Sequence, residues 1–420
     1  MRKILQVILK RLSKIVLNKY KPVIIAVTGS VGKTSTKEAI YHVLKSHFGE
    51  KEVRRNQRNY NNEIGVPLTI FGLETAGRSI FLWLIKFIKI FWMIITKVSY
   101  PSFLVLEMGA DRPGDIKYLT NFVHPKVGII TAIGEIPVHV EFFSGPDQIV
   151  QEKKTLINCL DDNGVAILNF DDEKIRQMAD NLKAKVLSYG LKEKADVRAT
   201  NYDLKLESDN NVSELNFKLE FKGSTVPAKL VNALGVQHLY SALAATAVGI
   251  TFSMNLVEIV EALKEFQPLP GRMHVIKGIK NTLIIDDSYN AALLSMEAAL
   301  DSLRVFGDRR KIVVLGDMLE IGEYAPEAHR RVGRKAAEIA DLIFTIGPRA
   351  KFIAESAIKY GLDDKKIFQF DIPDDARKIV QEKIREGDVI LVKGSRAIKM
   401  EKIIKEIMLE PNKAEELLVS

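Results

Sequence analysis

The chain has 420 residues, 47% of them apolar and 27% charged, an ordinary balance for a globular protein and enough length for two or three domains with substantial cores. A single cysteine, Cys159, excludes an internal disulfide and a cysteine-based zinc site, which fits a reducing cytoplasm. The net charge of +8 is concentrated in residues 1–21, where Arg2, Lys3, Lys10, Arg11, Lys14, Lys19 and Lys21 stand without one acid; such a terminus points to an anionic surface before a nucleic-acid groove, and no nucleic-acid partner is expected.

In chain order, "MRKILQVILKRLSKIVLNKY" (1–20) reads as a basic amphipathic helix. Lys10, Arg11 and Lys14 interrupt its apolar residues and no small-residue cleavage site follows, so it does not read as a signal peptide. Ile4, Leu5, Ile8, Leu9, Leu12, Ile15 and Val16 share one face, with Val7 and Leu17 as exceptions. Two readings stand level: a helix lying in a membrane surface, or one packed on the protein body. "PVIIAVTGS" then reads as a buried strand and "KTSTKEAIYHVLKSHF" as a helix, with "FLVLEMGA" and "KVGIITAIG" as further strands separated by "DIKYLTNFV" as helix. This alternation argues a mainly parallel α/β sheet. Residues 185–230 alternate polar and apolar and predict antiparallel strands capping that sheet. After the linker-like "QPLPGR", five strand-like runs separated by helices predict a second, doubly wound, Rossmann-like α/β domain. The expected divisions are 1–20, a central ATP-binding domain at 21–269, and a C-terminal domain at 270–420.

The chemistry starts at Thr28-Gly29-Ser30-Val31-Gly32-Lys33-Thr34, between a predicted strand and helix. Glycines there let backbone N–H groups close on phosphate oxygens, and the helix N-terminus adds partial positive charge. Lys33 would reach the β- and γ-phosphates and the Thr34 hydroxyl would bind Mg²⁺, so ATP and Mg²⁺ are the expected cofactors, with Gly29, Ser30, Gly32, Lys33, Thr34 and Ser35 as the binding set. Glu107 ends a strand of the same sheet. A buried carboxylate there needs a metal or a basic partner. His139 follows another strand end and is either structural or a nitrogen ligand for a second metal.

The short "TGxxGKT" loop resembles that of the Mur ligase family. "NYNNEIGVPLTI" (59–70), "VLEMGADRPGDI" (105–116), "GEIPVHVEFFSGPDQIVQEKKTLI" (134–157), "LPGR" (269–272), "IIDDSYNAALLSMEAAL" (284–300), "KIVVLGDMLEIGEYAPEAHRRVG" (311–333) and "DVILVKGSRAIKMEKI" (388–403) are similar, in order, to successive blocks of its D-alanyl-D-alanine-adding branch. The resemblance implies metal ligation by Thr34, Glu107, His139 and Lys153, the lysine carried as a carbamate; unmodified, Lys153 would pair with phosphate or face solvent. It implies a catalytic set of Lys33, Asn62, His139 and Lys153, the amide-rich loop of Asn61 and Asn62 preceding a strand, although turn chemistry is the plainer account of that loop. It further implies that Arg272, Asp287 and Asn290 hold ATP across an interdomain cleft. Lys393, Ser395 and Arg396 would receive the amino component, or else form a basic helix start without a ligand.

The pattern departs from the family in three places. The phosphate loop begins at residue 28, where the family places a UDP-binding domain before it, so the basic helix is not expected to recognise UDP. Gln237, His238 and Ser241 replace the family's polar residues near the adenine site, and "YNAAL" (289–293) replaces its "YNANP". Residues 72–100 form an apolar insertion. Its core, Ser79–Val98, is long enough to span a bilayer, but Lys86 and Lys89 sit mid-segment, each costing roughly 2.5–3.5 kcal/mol at a bilayer centre. With its polar residues on one stripe flanked by Trp83 and Trp92, it reads as a helix in a membrane surface, in preference to burial in a core or dimer interface.

The expected activity is ATP-dependent amide ligation in cell-wall precursor synthesis, through an acyl phosphate, with muramoyl-peptide and dipeptide substrates. The expected location is the cytoplasm, at the inner face of a membrane. Two alternatives remain: a Mur-like ligase with a different or lipid-linked acceptor, and a membrane-bound ATP-binding protein without ligase chemistry.

Overall fold

A computed structural model describes residues 2–57, 60–206 and 212–419. The connection at 207–211, within the predicted antiparallel strands, lies outside the described residues. Two sheets organise the chain. The first has nine strands: β1 (Val23–Thr28), β2 (Val53–Arg55), β3 (Phe103–Glu107), β4 (Val127–Ile130), β5 (Val165–Asn169), β6 (Lys185–Gly190), β7 (Val197–Leu206), β8 (Val212–Phe221) and β9 (Ser224–Val231). Their order is β2-β3-β1-β4-β5-β6-β7-β8-β9. Pairing is parallel as far as β7, and β8 and β9 extend the edge antiparallel. The antiparallel ladder therefore begins later than the sequence suggests, because β6 runs parallel to both of its neighbours.

The inner strands β1, β3 and β4 are buried along nearly their whole length, as continuous apolar runs covered on both faces should be. Helix α1 (Arg2–Tyr20) leads into β1, and α2 (Lys33–Phe48) follows it; α3 (Gly65–Phe71) and α4 (Ile80–Ile95) lie between β2 and β3. The predicted strand after Asn62 is instead α3. Its "GVPLTIF" is buried on every side, and a short all-apolar run carries no period that separates helix from strand.

Helix α1 packs on the body through Leu9, Leu12, Val16 and Leu17, in one apolar cluster with Ile90 of α4. Leu17, an exception on the wheel, is thus part of the buried face, while Ile4, Ile8 and Ile15 remain exposed. Lys19 caps the far end of α4, its ammonium donating to the carbonyls of Met93 and Ile94 at 2.9 Å each and to that of Thr96.

The second sheet contains β10 (His274–Lys277), β11 (Leu283–Asp287), β12 (Lys311–Gly316), β13 (Leu342–Ile346), β14 (Ile367–Phe370) and β15 (Val389–Lys393), ordered β10-β11-β15-β12-β13-β14. The five predicted runs are β11 to β15 and pair in parallel; β10 is a short antiparallel edge that its four-residue length hid. Both sheets direct the C-terminal ends of inner strands toward one cleft, the position where α/β folds place ligands.

Candidate active site

The loop between β1 and α2 builds the floor of the cleft. Gly29 has φ 152°, and a Cβ there would lie 2.0 Å from the Thr131 hydroxyl oxygen, so glycine is a steric requirement. Gly32 turns into α2 with φ 87°. Two ammonium groups converge on one carbonyl: Lys33 Nζ donates to Gly29 O at 2.9 Å and Lys153 Nζ to the same oxygen at 3.0 Å. Lys153, from α6 (Pro146–Asn158; α5 is Asp115–Thr120), is buried. Burial, with the Lys33 charge beside it, brings its pKa down to about 7. Desolvation lowers the pKa of Lys33 as well, against the pull of Glu107.

Register places Glu107 opposite Val27, one residue before the loop. The Thr34 hydroxyl donates to Glu107 Oε2 at 2.9 Å, and Asn61 Nδ2 donates to Oε1 at 3.0 Å. Burial alone would raise the Glu107 pKa, but Lys37, Lys33, Arg272 and the Asn61 amide outweigh it and hold the carboxyl below its ordinary value. Lys37 lies 3.9 Å from Glu107 and donates to Asn56 O at 2.8 Å.

The second sheet closes the cleft. Arg272 lies over the Tyr289 ring, 3.9 Å from its centroid, and its Nη2 donates to the Thr34 hydroxyl at 2.9 Å. Asp287, at the end of β11, accepts from the backbone N–H of Met273 at 3.1 Å and from buried Lys393 at 2.5 Å. Lys393 also donates to Asn290 O at 3.0 Å. His139, at φ 70°, stands between Glu320 (2.8 Å) and Asp111 (3.4 Å), a second bridge between the two halves. The cavity enclosed has a volume of about 870 Å³, and Tyr240 and Asp171, hydrogen-bonded at 2.8 Å, stand in its wall.

Of the residues singled out in the sequence, Ser30, Gly32, Lys33, Thr34, Ser35, Glu107, His139, Lys153, Arg272, Asp287, Asn290 and Lys393 line this cavity, and Gly29 lies beneath it. Three do not. Asn62 Oδ1 accepts from the N–H groups of Ile64 (3.1 Å) and Gly65 (3.0 Å), an Asx turn at the entry to α3, and it is Asn61 that reaches Glu107. Ser395 accepts from Leu319 N–H at 2.9 Å, and Arg396 pairs with Glu401 at 3.0 Å. Near the predicted adenine side, His238 is buried with both ring nitrogens unpartnered, and burial drives its pKa down to about 4. Residues the sequence did not single out include Lys37, Asn56, Asp111 and Glu320, which the fold brings beside Glu107 or His139.

Comparison with known proteins places the chain in a family. The Mur ligase middle domain matches residues 27–83 and 93–249, and the glutamate ligase domain of Mur ligases matches 271–396. The chain belongs to the Mur ligase family. This Mur ligase is 31% identical over 407 residues to the UDP-N-acetylmuramoyl-tripeptide–D-alanyl-D-alanine ligase of Bacillus subtilis, covering 96% of this chain and 79% of that one. It is similar in structure to MurF from Thermotoga maritima in complex with ADP, with TM-score 0.78, 26% identity, and coverage of 98% and 84%. MurF from Acinetobacter baumannii superposes with TM-score 0.77 at 28% identity, covering 95% and 79%. The middle-domain match leaves residues 84–92 out, a stretch inside α4.

Proposed function

We infer that this Mur ligase joins the terminal carboxylate of a muramoyl-tripeptide to the amine of D-alanyl-D-alanine, with cleavage of ATP to ADP and phosphate. The observation that carries the reading is the link across the cleft: Thr34 accepts from Arg272 of the C-terminal half while donating to Glu107 of the central sheet. Residues 21–269 hold the nucleotide and 270–420 close over it.

The substrate carboxylate attacks the γ-phosphorus, the bond to the β,γ-bridging oxygen breaks, and ADP leaves an acyl phosphate. The dipeptide amine then attacks the acyl carbon. The tetrahedral intermediate expels phosphate and a proton is lost from nitrogen, giving the amide. Lys33 is placed to leave Gly29 O for the β- and γ-phosphates, and Arg272 to neutralise charge from the opposite wall; charge neutralisation and positioning supply most of such a rate enhancement. The paired oxygens of Thr34 and Glu107 suit Mg²⁺, a hard cation that takes oxygen ligands, and Glu107 is held ionised for that purpose. Bound by Thr34 and Glu107, Mg²⁺ would supply positive charge to offset that of the phosphates. His139 and Lys153 are the candidates for a second cation. A lysine with a pKa near 7 has the free amine that carbamate formation requires. Asp287 and Lys393 fix each other and the Asn290 turn, shaping the wall where the nucleotide and amine meet.

A second reading, a lipid-linked acceptor in place of a UDP-linked one, is favoured by the exposed apolar face of α4. Phosphate release and amide product, followed with UDP-linked and lipid-linked muramoyl-tripeptides plus D-alanyl-D-alanine, separate the two. Turnover with the UDP-linked acceptor alone upholds the first reading, and turnover with the lipid-linked acceptor alone replaces it. Lys33→Ala should abolish product in either case. Absence of amide with both acceptors, in protein that still binds ATP, refutes ligation. The proposed compartment is the cytoplasm.

A further inference from the structure

Helix α4 is apolar on two adjacent faces, about 100° apart, and the protein covers only one. Trp83, Phe87, Ile90 and Ile94 recur at the helical spacing and pack into the cluster that also holds α1 and β3. Leu84, Ile88, Phe91 and Ile95 recur at the same spacing one residue further on, beside the covered face, joined by Ile80, Phe81 and Trp92, and all seven face solvent. Ile80 and Ile95 are 75% and 77% exposed, Ile88 62% and Trp92 64%. A contiguous exposed surface of this kind marks a docking site.

Charge specifies what docks. The sequence has no Asp or Glu from residue 1 to 37 or from 75 to 106, so neither helix nor its flanks carries an acid. Exposed cations border the apolar face: Arg78, Lys89 and Lys97 around α4, and Lys3, Arg11 and Lys14 among the exposed Ile4, Ile8 and Ile15 of α1. The two helices meet where Lys19 and Tyr20 bond to the C-terminal carbonyls of α4. An apolar face rimmed by cations alone fits a lipid surface of negative charge, into which Phe81, Trp92 and their neighbours insert while lysines and arginines meet headgroups. Among the described residues no helix is long and apolar enough to cross a membrane. Both helices lead into the N-terminal ends of β1 and β3, whereas the phosphate loop and Glu107 lie at the C-terminal ends of those strands.

We propose that α1 and α4 dock this protein, through the outward face of α4 and the cations beside it, on the surface of an anionic lipid bilayer. The proposal rests on the surface alone and is independent of which acceptor the ligase uses. The full chain is sedimented with vesicles of equal phosphatidylglycerol and phosphatidylcholine, and with phosphatidylcholine alone. Binding is expected to the anionic vesicles, falling as salt rises, and each cation removed should weaken it roughly fivefold. Lys14→Gln with Lys89→Gln therefore loses about 25-fold. Ile88→Glu with Phe91→Glu, both on an already solvated face, should abolish binding while leaving nucleotide binding in vesicle-free buffer intact. In a Trp83→Phe variant, Trp92 is the single tryptophan, and its fluorescence should shift to the blue on anionic vesicles. Failure to sediment with anionic vesicles, or equal binding by the Ile88→Glu/Phe91→Glu variant, overturns the proposal. So does self-association that this variant abolishes without any vesicle binding, which would assign the face to a second copy of the chain.

Discussion

Replacing Lys153 with methionine should remove a pH dependence of stability whose size follows from the buried ammonium. In the nucleotide-free fold the Lys153 pKa falls from 10.5 to about 7, chiefly because burial strips water from the charge, and secondarily because Lys33 shares the Gly29 carbonyl with it. Below pH 7 folded and unfolded chains both carry the proton, and the full cost of burying it applies. Between pH 7 and 10.5 the unfolded chain still binds a proton that the folded chain has released, so unfolding takes one up and stability rises with pH; above 10.5 the cost is gone. Inside that window the slope is up to about 1.4 kcal/mol per pH unit, or about 2 kcal/mol between pH 7.5 and 9. Urea unfolding in buffer freed of carbon dioxide, followed by tryptophan fluorescence at several pH values, checks this as the difference between wild type and Lys153→Met. The wild type should gain on the variant's baseline as pH rises, and the variant should be the more stable of the two at pH 7. Parallel pH profiles would refute the reasoning, since they would mean that the ammonium keeps its water.

Arg272→Ala removes the guanidinium that reaches Thr34 and should lower the rate of phosphate release on the order of a hundredfold, with protein stability little changed. Asn61→Ala and Asn62→Ala should separate: the first loses the hydrogen bond to Glu107 and turnover with it, and the second loses the α3 entry turn, at about 1 kcal/mol in chemical unfolding with turnover preserved. Gly29→Ala drives a methyl group into Thr131, so it should eliminate the stabilisation of roughly 3 kcal/mol that ATP at a hundredfold excess over Kd gives the wild type, read as a lost thermal shift.

How much of this protein was legible in its sequence depended on whether the physics was local. The phosphate loop could be read because its glycines, Lys33 and Thr34 are neighbours in the chain, and a helix start gathers its N–H groups without help from elsewhere. Strands β11, β12, β13 and β15 could be read because strands covered on both faces are nearly continuous apolar runs. Where either structure satisfies the same residues, sequence reasoning went astray: "GVPLTIF" is apolar at every position, and burial on all sides made it a helix. Asn61 and Asn62 have the same chemistry, and the turn at α3 decided which one faces Glu107.

By itself, then, the sequence determined the nucleotide loop, the two-sheet α/β architecture and the family, since these rest on contiguous residues and their periodicity. Tertiary structure alone decided the bridges from Arg272 to Thr34 and from Glu320 to His139, which join residues 238 and 181 positions apart and have no local signature. It decided, too, which side of α4 is covered. Two apolar stripes of equal spacing compete for the same core, and the fit of Trp83, Phe87, Ile90 and Ile94 against α1 left Leu84, Ile88, Phe91 and Ile95 facing outward.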